Sequence, residues 1–217
     1  MTILSNGFND WNGSPLRTRI TSKIHRGGSL NERLNEAVFR LQAQENRLAG
    51  AAARMQQHDK EMFDKCVRAQ IAKDDARAAM YANNCAEIRK MAKITLHCQL
   101  ALMQASLRLQ TALEFGNIAS MMAPVASVVK SVQRHVAGII PEVGLELTEI
   151  GEVLNSAVCE IGGPLGSDSV VQASGEDAQK ILSEANALAE HRIQQHFPEL
   201  PIGQTLVPQK ATEQGFQ

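Results

Sequence analysis

The sequence predicts an all-α protein: a long antiparallel helical hairpin, shorter helices after it, and a flexible C-terminal tail. Three observations carry this. Aromatic residues make up only 4% of the 217 residues, with one Trp and one Tyr, a composition that favours helices packed side by side over a sandwich or an α/β sheet. Between residues 33 and 55 an arginine followed by an apolar residue returns every seven positions: Arg33-Leu34, Arg40-Leu41, Arg47-Leu48, Arg54-Met55. Sevenfold spacing is helical periodicity with an apolar seam. Finally, the stretches on either side of QIAKDD (70–75) hold no proline and, apart from Gly50, no glycine from about residue 30 to 115.

Residues 1–29 read as an irregular, basic arm, because NG, NGSP and HRGG are turn signals. Leu4, Phe8 and Trp11 are apolar without a periodic pattern, and Arg17, Arg19, Lys23 and Arg26 lie behind them. One reading is a terminus without structure. The other is a membrane-surface foot, its aromatic groups in the headgroup layer and its basic residues on anionic lipid.

The first long helix starts where Ser29 and Glu32 have the spacing of a capping box. Its seam is Leu34, Leu41, Leu48, Met55, Met62 and Ala69. Val38, Ala52 and Cys66 partly fill the complementary position, which Glu45 and Asp59 interrupt. Such an imperfect heptad suits a two-helix hairpin better than a zipper. The chain turns in QIAKDD and a second helix runs to about Phe115, with a stripe of Met80, Ile88, Met91, Ile94/Thr95, Leu102, Leu109 and Leu113. Alanines at 49, 51–53, 76, 78, 79 and 82 allow close approach of the two backbones. Two long helices joined by a short loop fold back antiparallel.

FGN (115–117) breaks the hairpin from a third helix over about 117–137, and GIIP (138–141) precedes a fourth over about 142–160. In the fourth, Glu142, Glu146, Glu149 and Glu152 lie opposite Val143, Leu147, Ile150 and Leu154. IGGPLGSDS (161–169) reads as a linker. A last helix spans about 174–196, with Ile181, Leu182, Ala185, Leu188 and Ile193. FPELPIGQTLVP (197–208) then carries too many prolines for a helix or central strand. The organisation is thus an arm (1–29), a helical core (30–160) and an acidic tail (161–217).

The net charge of -1 conceals a split. Residues 1–140 carry 19 Lys and Arg against 11 Asp and Glu, whereas residues 141–217 carry 3 against 12. A basic front and an acidic back suggest an anionic partner and a tail able to cover the front. The arginine stripe admits two readings. A straight helix drifts ∼20° per heptad, so Arg33, Arg40, Arg47 and Arg54 stay on one face. There they either snorkel over the coiled-coil groove or face an extended anionic partner: a surface, a neighbouring subunit, or the acidic 142–160 helix of the same chain.

From residue 76 onward the chain resembles a known family. YANNCAEIRKMAK, SLRLQTALEFG and PEVGLELTEIGEVL, in that order, are similar to the helical core of the ESCRT-III family, in the form of its archaeal cell-division CdvB-type members. The likeness covers about residues 30–160 and more loosely extends to 208. It implies a self-assembling filament subunit that constricts membrane necks in archaeal cell division. Such a subunit alternates between a closed state, with the acidic half folded back, and an open state that polymerises. The partners implied are further copies of the chain, sister ESCRT-III subunits, an anionic membrane and an AAA ATPase with an MIT domain. FPELPIGQTLVP resembles the family's proline-rich ATPase-docking motif, which makes Phe197, Pro198, Leu200, Pro201, Val207 and Pro208 the docking residues. The resemblance implies Arg33, Arg40, Arg47 and Arg54 as polymer or membrane contacts and Glu142, Glu146, Glu149 and Glu152 as the autoinhibitory face. The winged-helix segment that often follows in the family is not expected in this chain.

No enzyme is expected, and no cofactor or small-molecule substrate. The histidines are scattered, and His97-Cys98, the one close His/Cys pair, points about 100° apart on a helix, a poor chelate or dyad. No GxxxxGK[ST] phosphate loop is present. The four cysteines lack CxxC spacing and read as free thiols of a cytoplasmic protein; the resemblance implies that it is peripheral on the inner face of the cell membrane at the division site. The runner-up function is a basic coiled-coil scaffold or a nucleic-acid-binding protein. Against it stand the scarcity of aromatic residues, the lack of a recognition motif and the competing acidic half.

Overall fold

The computed structural model describes residues 28–116, 118–162 and 168–200, with the side chains of 162 and 168–174 outside the description. Of the sequence-derived sites, Leu4, Phe8, Trp11, Arg17, Arg19, Lys23 and Arg26 in the arm, and Pro201, Val207 and Pro208 in the tail, lie outside the described residues. Five helices follow one another: α1 (Leu30–Ile71), α2 (Asp75–Phe115), α3 (Ile118–Val136), α4 (Pro141–Gly162) and α5 (Asp168–His196). Among the described residues there is no strand, and the all-α class holds.

Each boundary has a local cause. The Ser29 hydroxyl accepts from Glu32 N while Glu32 Oε2 accepts from Ser29 N at 2.8 Å, a closed capping box. Asp74 caps α2 by accepting from Arg77 N at 3.1 Å. Gly116 ends α2 at φ 75°, a left-handed position where a side chain is strained. Pro141 opens α4 at the first helical position, where no backbone donor is needed. The last helix begins at Asp168, ahead of the expected 174, so the linker is shorter than its glycines imply.

α1 and α2 pack along their length as the antiparallel hairpin, about 60 Å long at 1.5 Å per residue. Leu34, Leu41 and Leu48 face Leu102, Ala105 and Leu109 in the fully buried core. Towards the tip the core narrows to Cys66, Ala69, Ala78 and Ala82. This corrects the α2 stripe. Met80 and Met91 are 49% and 37% exposed, because alanines and Cys85 bring the backbones too close for a long side chain between them. α3 lays Met122, Val125, Val128, Val129, Val132 and Val136 onto the open end of the hairpin, and α4 covers them with Val143, Leu147, Ile150 and Leu154. α5 joins the same core through Ala178, Ile181, Ala185 and Ala189, while Leu188 on its far side is exposed. Among the described residues no helix is long and apolar enough to cross a membrane.

Candidate functional site

Two sets of polar contacts fasten the later helices to the hairpin. The first joins the arginine stripe of α1 to α4, which runs antiparallel to it. Arg33 pairs with Glu160 near the end of α4. One heptad on, Arg40 Nη2 donates to Glu146 Oε2 at 3.0 Å and to Glu149 Oε2 at 2.7 Å. Burial works against the Arg40 charge, but the bonds to Glu146 and Glu149 outweigh it and raise its pKa above the ordinary value. Between the two pairs is a small pocket lined by Arg33, Glu36, Ala37, Arg40, Ile150, Val153 and Ser156.

The other half of the stripe is treated differently. Arg47 donates to Gln44 Oε1 of its own helix at 3.3 Å, and neither it nor Arg54 has an ion pair among the described residues. The reason is length. α4 has 22 residues against 42 in α1, and running antiparallel from Glu160 it reaches its first turn at the level of Arg47. There Glu142 shares a shallow groove with Arg47, Arg54, Asn46, Gly50, Ile140 and Val143. Glu152 is exposed. Of the four expected glutamates, then, the structure brings Glu146 and Glu149 to the stripe, leaves Glu142 beside it without a bond and sets Glu152 outside. Glu160 was missed. It lies eleven residues beyond Glu149, three full turns along the same face, and that period was the signal.

The second set joins α5 to α2 and was not legible beforehand. At one-turn intervals along α2, His97 Nε2 lies 3.2 Å from Leu182 O, Lys93 Nζ donates to Glu190 Oε1 at 2.7 Å, and Arg89 Nη1 donates to Pro198 O at 2.7 Å. Lys93 holds the exposed Glu190 carboxyl below its ordinary pKa. Arg89 is also the partner of Asp59: Nε meets Oδ1 at 2.8 Å and Nη2 meets Oδ2 at 3.0 Å. Asp59, the residue that interrupts the α1 seam, has a side chain only 3% exposed. The Arg89 guanidinium carbon stands 5.6 Å from the centre of the Phe197 ring. Phe197 is 8% exposed, and Leu200 packs on Cys66, Ala69, Ala78 and Ala82.

The chain is 38% identical over 212 residues to Cell division protein B1 of Sulfolobus acidocaldarius, across 97% of each chain. The chain belongs to the CdvB family of archaeal cell-division proteins. It is also 33% identical over 192 residues to Cell division protein B of the same organism, across 88% of this chain and 72% of that one. No family model matches the chain, and no solved structure matches it.

Of the residues expected to dock an ATPase in this CdvB-family chain, Phe197 is buried, Leu200 packs on the hairpin, and Pro198 is exposed and meets the hairpin through its carbonyl, which accepts from Arg89. Cys66, Cys85 and Cys98 are buried free thiols and Cys159 is exposed. Burial raises Cys66 and pushes Cys85 up to about 11 and Cys98 up to about 12, so none of these three is a thiolate nucleophile near neutral pH. Among the described residues no group of three His, Cys, Asp or Glu is placed to hold a metal.

Proposed function

We propose that this CdvB-family chain is a self-assembling filament subunit that acts in archaeal cell division, remodelling the membrane at the division site from its cytoplasmic face. In this reading the described conformation is the closed one. α4 neutralises Arg33 and Arg40, and opening releases them for a neighbouring subunit or sister protein. Arg47 and Arg54, exposed in the closed state, make the first contact with an anionic lipid surface, together with Phe8, Trp11, Arg17, Arg19, Lys23 and Arg26 of the arm. The proline-rich segment is where an AAA ATPase with an MIT domain takes hold to disassemble the polymer. The chain itself is no enzyme, and the energy for disassembly comes from that partner.

One observation carries the reading: a seven-residue arginine stripe is half covered by carboxylates of its own chain and half open. The contacts are partly exposed and mostly electrostatic, so salt weakens them. The test is sedimentation with vesicles of anionic and of neutral lipid, for the full chain, for Glu146→Lys/Glu149→Lys, and for a chain lacking residues 1–29. The expected result is filaments with the double variant at lower lipid concentration than with the native chain, and loss of pelleting without the arm. A particle that stays monomeric in every arm overturns the filament reading. Binding to duplex DNA without binding to lipid moves the function to a nucleic-acid scaffold.

A further inference from the structure

Where α4 covers the arginine stripe, the sign of the surface changes. Arg33 and Arg40 bring two positive charges, while Glu36 of α1 and Glu146, Glu149 and Glu160 of α4 bring four negative ones. Glu36 is exposed and has no ion pair among the described residues, and the side chains of Glu149 and Glu160 are 61% and 52% exposed. The seam therefore has carboxylate to spare for a basic partner. It also has a seat. The pocket between the two arginines holds about 40 Å³ of room, where one water needs about 10–15 Å³. Ala37, Ile150 and Val153 make it largely apolar. Arg33, on its wall, keeps Nε buried and without a hydrogen-bond partner among the described residues. The occupant that fits has an aliphatic tip for the pocket, an oxygen for Nε and cations for the rim.

The chain just ahead of α1 has that chemistry. Residues 16–26, LRTRITSKIHR, carry four cations, Arg17, Arg19, Lys23 and Arg26, and no carboxylate. Leu16, Ile20 and Ile24 recur every fourth residue, so they share a face in a helix and equally in an extended chain. These residues lie outside the description, but the point where they join it is fixed. A Cβ on Gly28 would stand 2.9 Å from Glu32 Oε2, 3.4 Å from Glu32 Cβ and 3.8 Å from Arg33 Cγ, and the capping box holds Glu32 in place. The chain thus enters α1 on the side of Arg33, which is the side of the pocket, and glycine lets it pass that close. From Leu30 to the level of Glu36 and Ala37 is about 10 Å along α1. A returning helix brings Ile20 to that level, and an extended chain brings Ile24.

We propose that residues 16–26 fold back along the α1–α4 seam, an isoleucine filling the pocket between Arg33 and Arg40 and the cations of the arm meeting Glu36, Glu149 and Glu160. Two helices make the seat, so it exists only while α4 is docked. Docking of the arm and docking of α4 therefore support each other, as linked equilibria must. The consequence for lipid rests on the reading above, in which the arm reaches an anionic surface. A closed subunit holds its arm back, and the departure of α4 delivers the arm and the stripe together. The docking itself does not depend on that reading.

The experiment uses the full chain. A zero-length carbodiimide joins an amine to a carboxylate in contact with it, and Lys23 is the one lysine of residues 1–29. Peptide mapping should place its crosslinks on Glu36, Glu149 or Glu160 of the same molecule. Crosslinks that form only between isotope-labelled and unlabelled copies give the seat to a second copy, and crosslinks confined to other carboxylates remove it; either result overturns the proposal. Hydrogen exchange is the second readout, in the native chain, in Ile20→Asp/Ile24→Asp and in Glu36→Lys, with a free peptide of residues 14–27 as reference. Amides of 18–26 should exchange about tenfold slower in the native chain than in the peptide, and most of that protection should be lost in both variants, one altering the arm and the other the seat. Protection absent from the native chain, or retained in either variant, overturns the seat. An arm docked about ten to one suppresses opening of α4 about tenfold, so amides of 146–157 should exchange about tenfold faster in the double variant. Unchanged exchange there overturns the coupling. Vesicles of anionic lipid, and not of neutral lipid, should speed the same α4 amides in the native chain. Vesicles that bind the arm without moving α4 overturn the gating. If no vesicle binds at all, the lipid reading fails, and the crosslinks and exchange still decide the docking.

Discussion

Arg40 Nη2 of α1 stands 2.7 Å from Glu149 Oε2 and 3.0 Å from Glu146 Oε2 of α4, so one cation serves two carboxylates on successive turns of a helix more than a hundred residues away. These groups are partly exposed, and solvent screening holds their net worth to about 1 kcal/mol. Their importance lies in position. Together with Arg33–Glu160 they are the polar fastening between the stripe and α4, which covers it.

Reversing this fastening gives the first prediction. Arg40→Glu places a like charge against Glu146 and Glu149 and loosens α4, which shows as faster amide exchange over 146–157 and as a stability loss of about 1–2 kcal/mol. Adding Glu146→Lys and Glu149→Lys restores opposite signs and should recover most of the loss. The coupling should shrink in 1 M salt, where the screening length is about 3 Å. No recovery in the triple variant would mean that apolar packing alone seats α4.

His97 gives a prediction about pH. It is half-buried where α2, α3 and α5 meet, 3.2 Å from Leu182 O, with the His135 ring 6.1 Å away edge-on. Burial lowers its pKa below the ordinary value. The Leu182 carbonyl opposes this, and His135 and Lys93 add to it. With the folded pKa below the unfolded value of about 6.5, the unfolded chain binds more protons on acidification. The stability contribution is therefore complete above about pH 6.5 and is lost as pH falls towards the folded pKa. His97→Gln keeps a donor for Leu182 and removes the titration. The urea midpoint of the native chain should fall more between pH 7.5 and 5 than that of the variant. Equal slopes would remove His97 from the account.

The thiols give a third prediction. Cys159 is exposed, whereas Cys66 and Cys85 lie under the hairpin tip and Cys98 in the main core. With Cys85 and Cys98 pushed up to about 11 and about 12, the buried thiols are protonated at pH 8 and shielded as well. An aromatic disulfide reagent should therefore titrate one of the four thiols quickly in the native chain and all four in denaturant. Fast reaction of Cys66 or Cys85 would show that the tip opens more readily than its packing implies.

How much of this was legible depended on range. The Ser29–Glu32 capping box, the Gly116 stop, Pro141 at the start of α4 and the Leu34–Leu41–Leu48 seam are decided within a turn or two of helix, and the sequence spells them out. Met80 and Met91 misled because size was read as burial, when the alanines and Cys85 of the tip exclude long side chains from the interface. Asp59 was visible as a fault in the heptad, but its remedy, Arg89, is thirty residues away, and nothing local pairs them. The docking of α5 rests on His97, Lys93 and Arg89, which recur every fourth residue as a polar row on α2. That row reads as an ordinary solvated face until α5 is laid over it.

Two glycines of α4 make opposite predictions from the same chemistry. Gly144 and Gly151 both lie inside the helix, where glycine costs up to ~1 kcal/mol relative to alanine. A Cβ at Gly151 would meet nothing within 4 Å, so Gly151→Ala should stabilise the chain by about 0.5–1 kcal/mol, a Tm rise of about 1–4 °C at this size. At Gly144 a Cβ would stand 3.0 Å from Ala137 Cα and 3.1 Å from Ala137 Cβ. The obstacle is the backbone of the α3–α4 connection, which cannot swing aside as a side chain can. Gly144→Ala should therefore gain little or nothing, and Gly144→Val, with two further carbons, should cost about 1–3 kcal/mol through overpacking. Thermal unfolding of the three variants checks this. If Gly144→Val unfolds at the native temperature, the start of α4 does not approach Ala137 this closely.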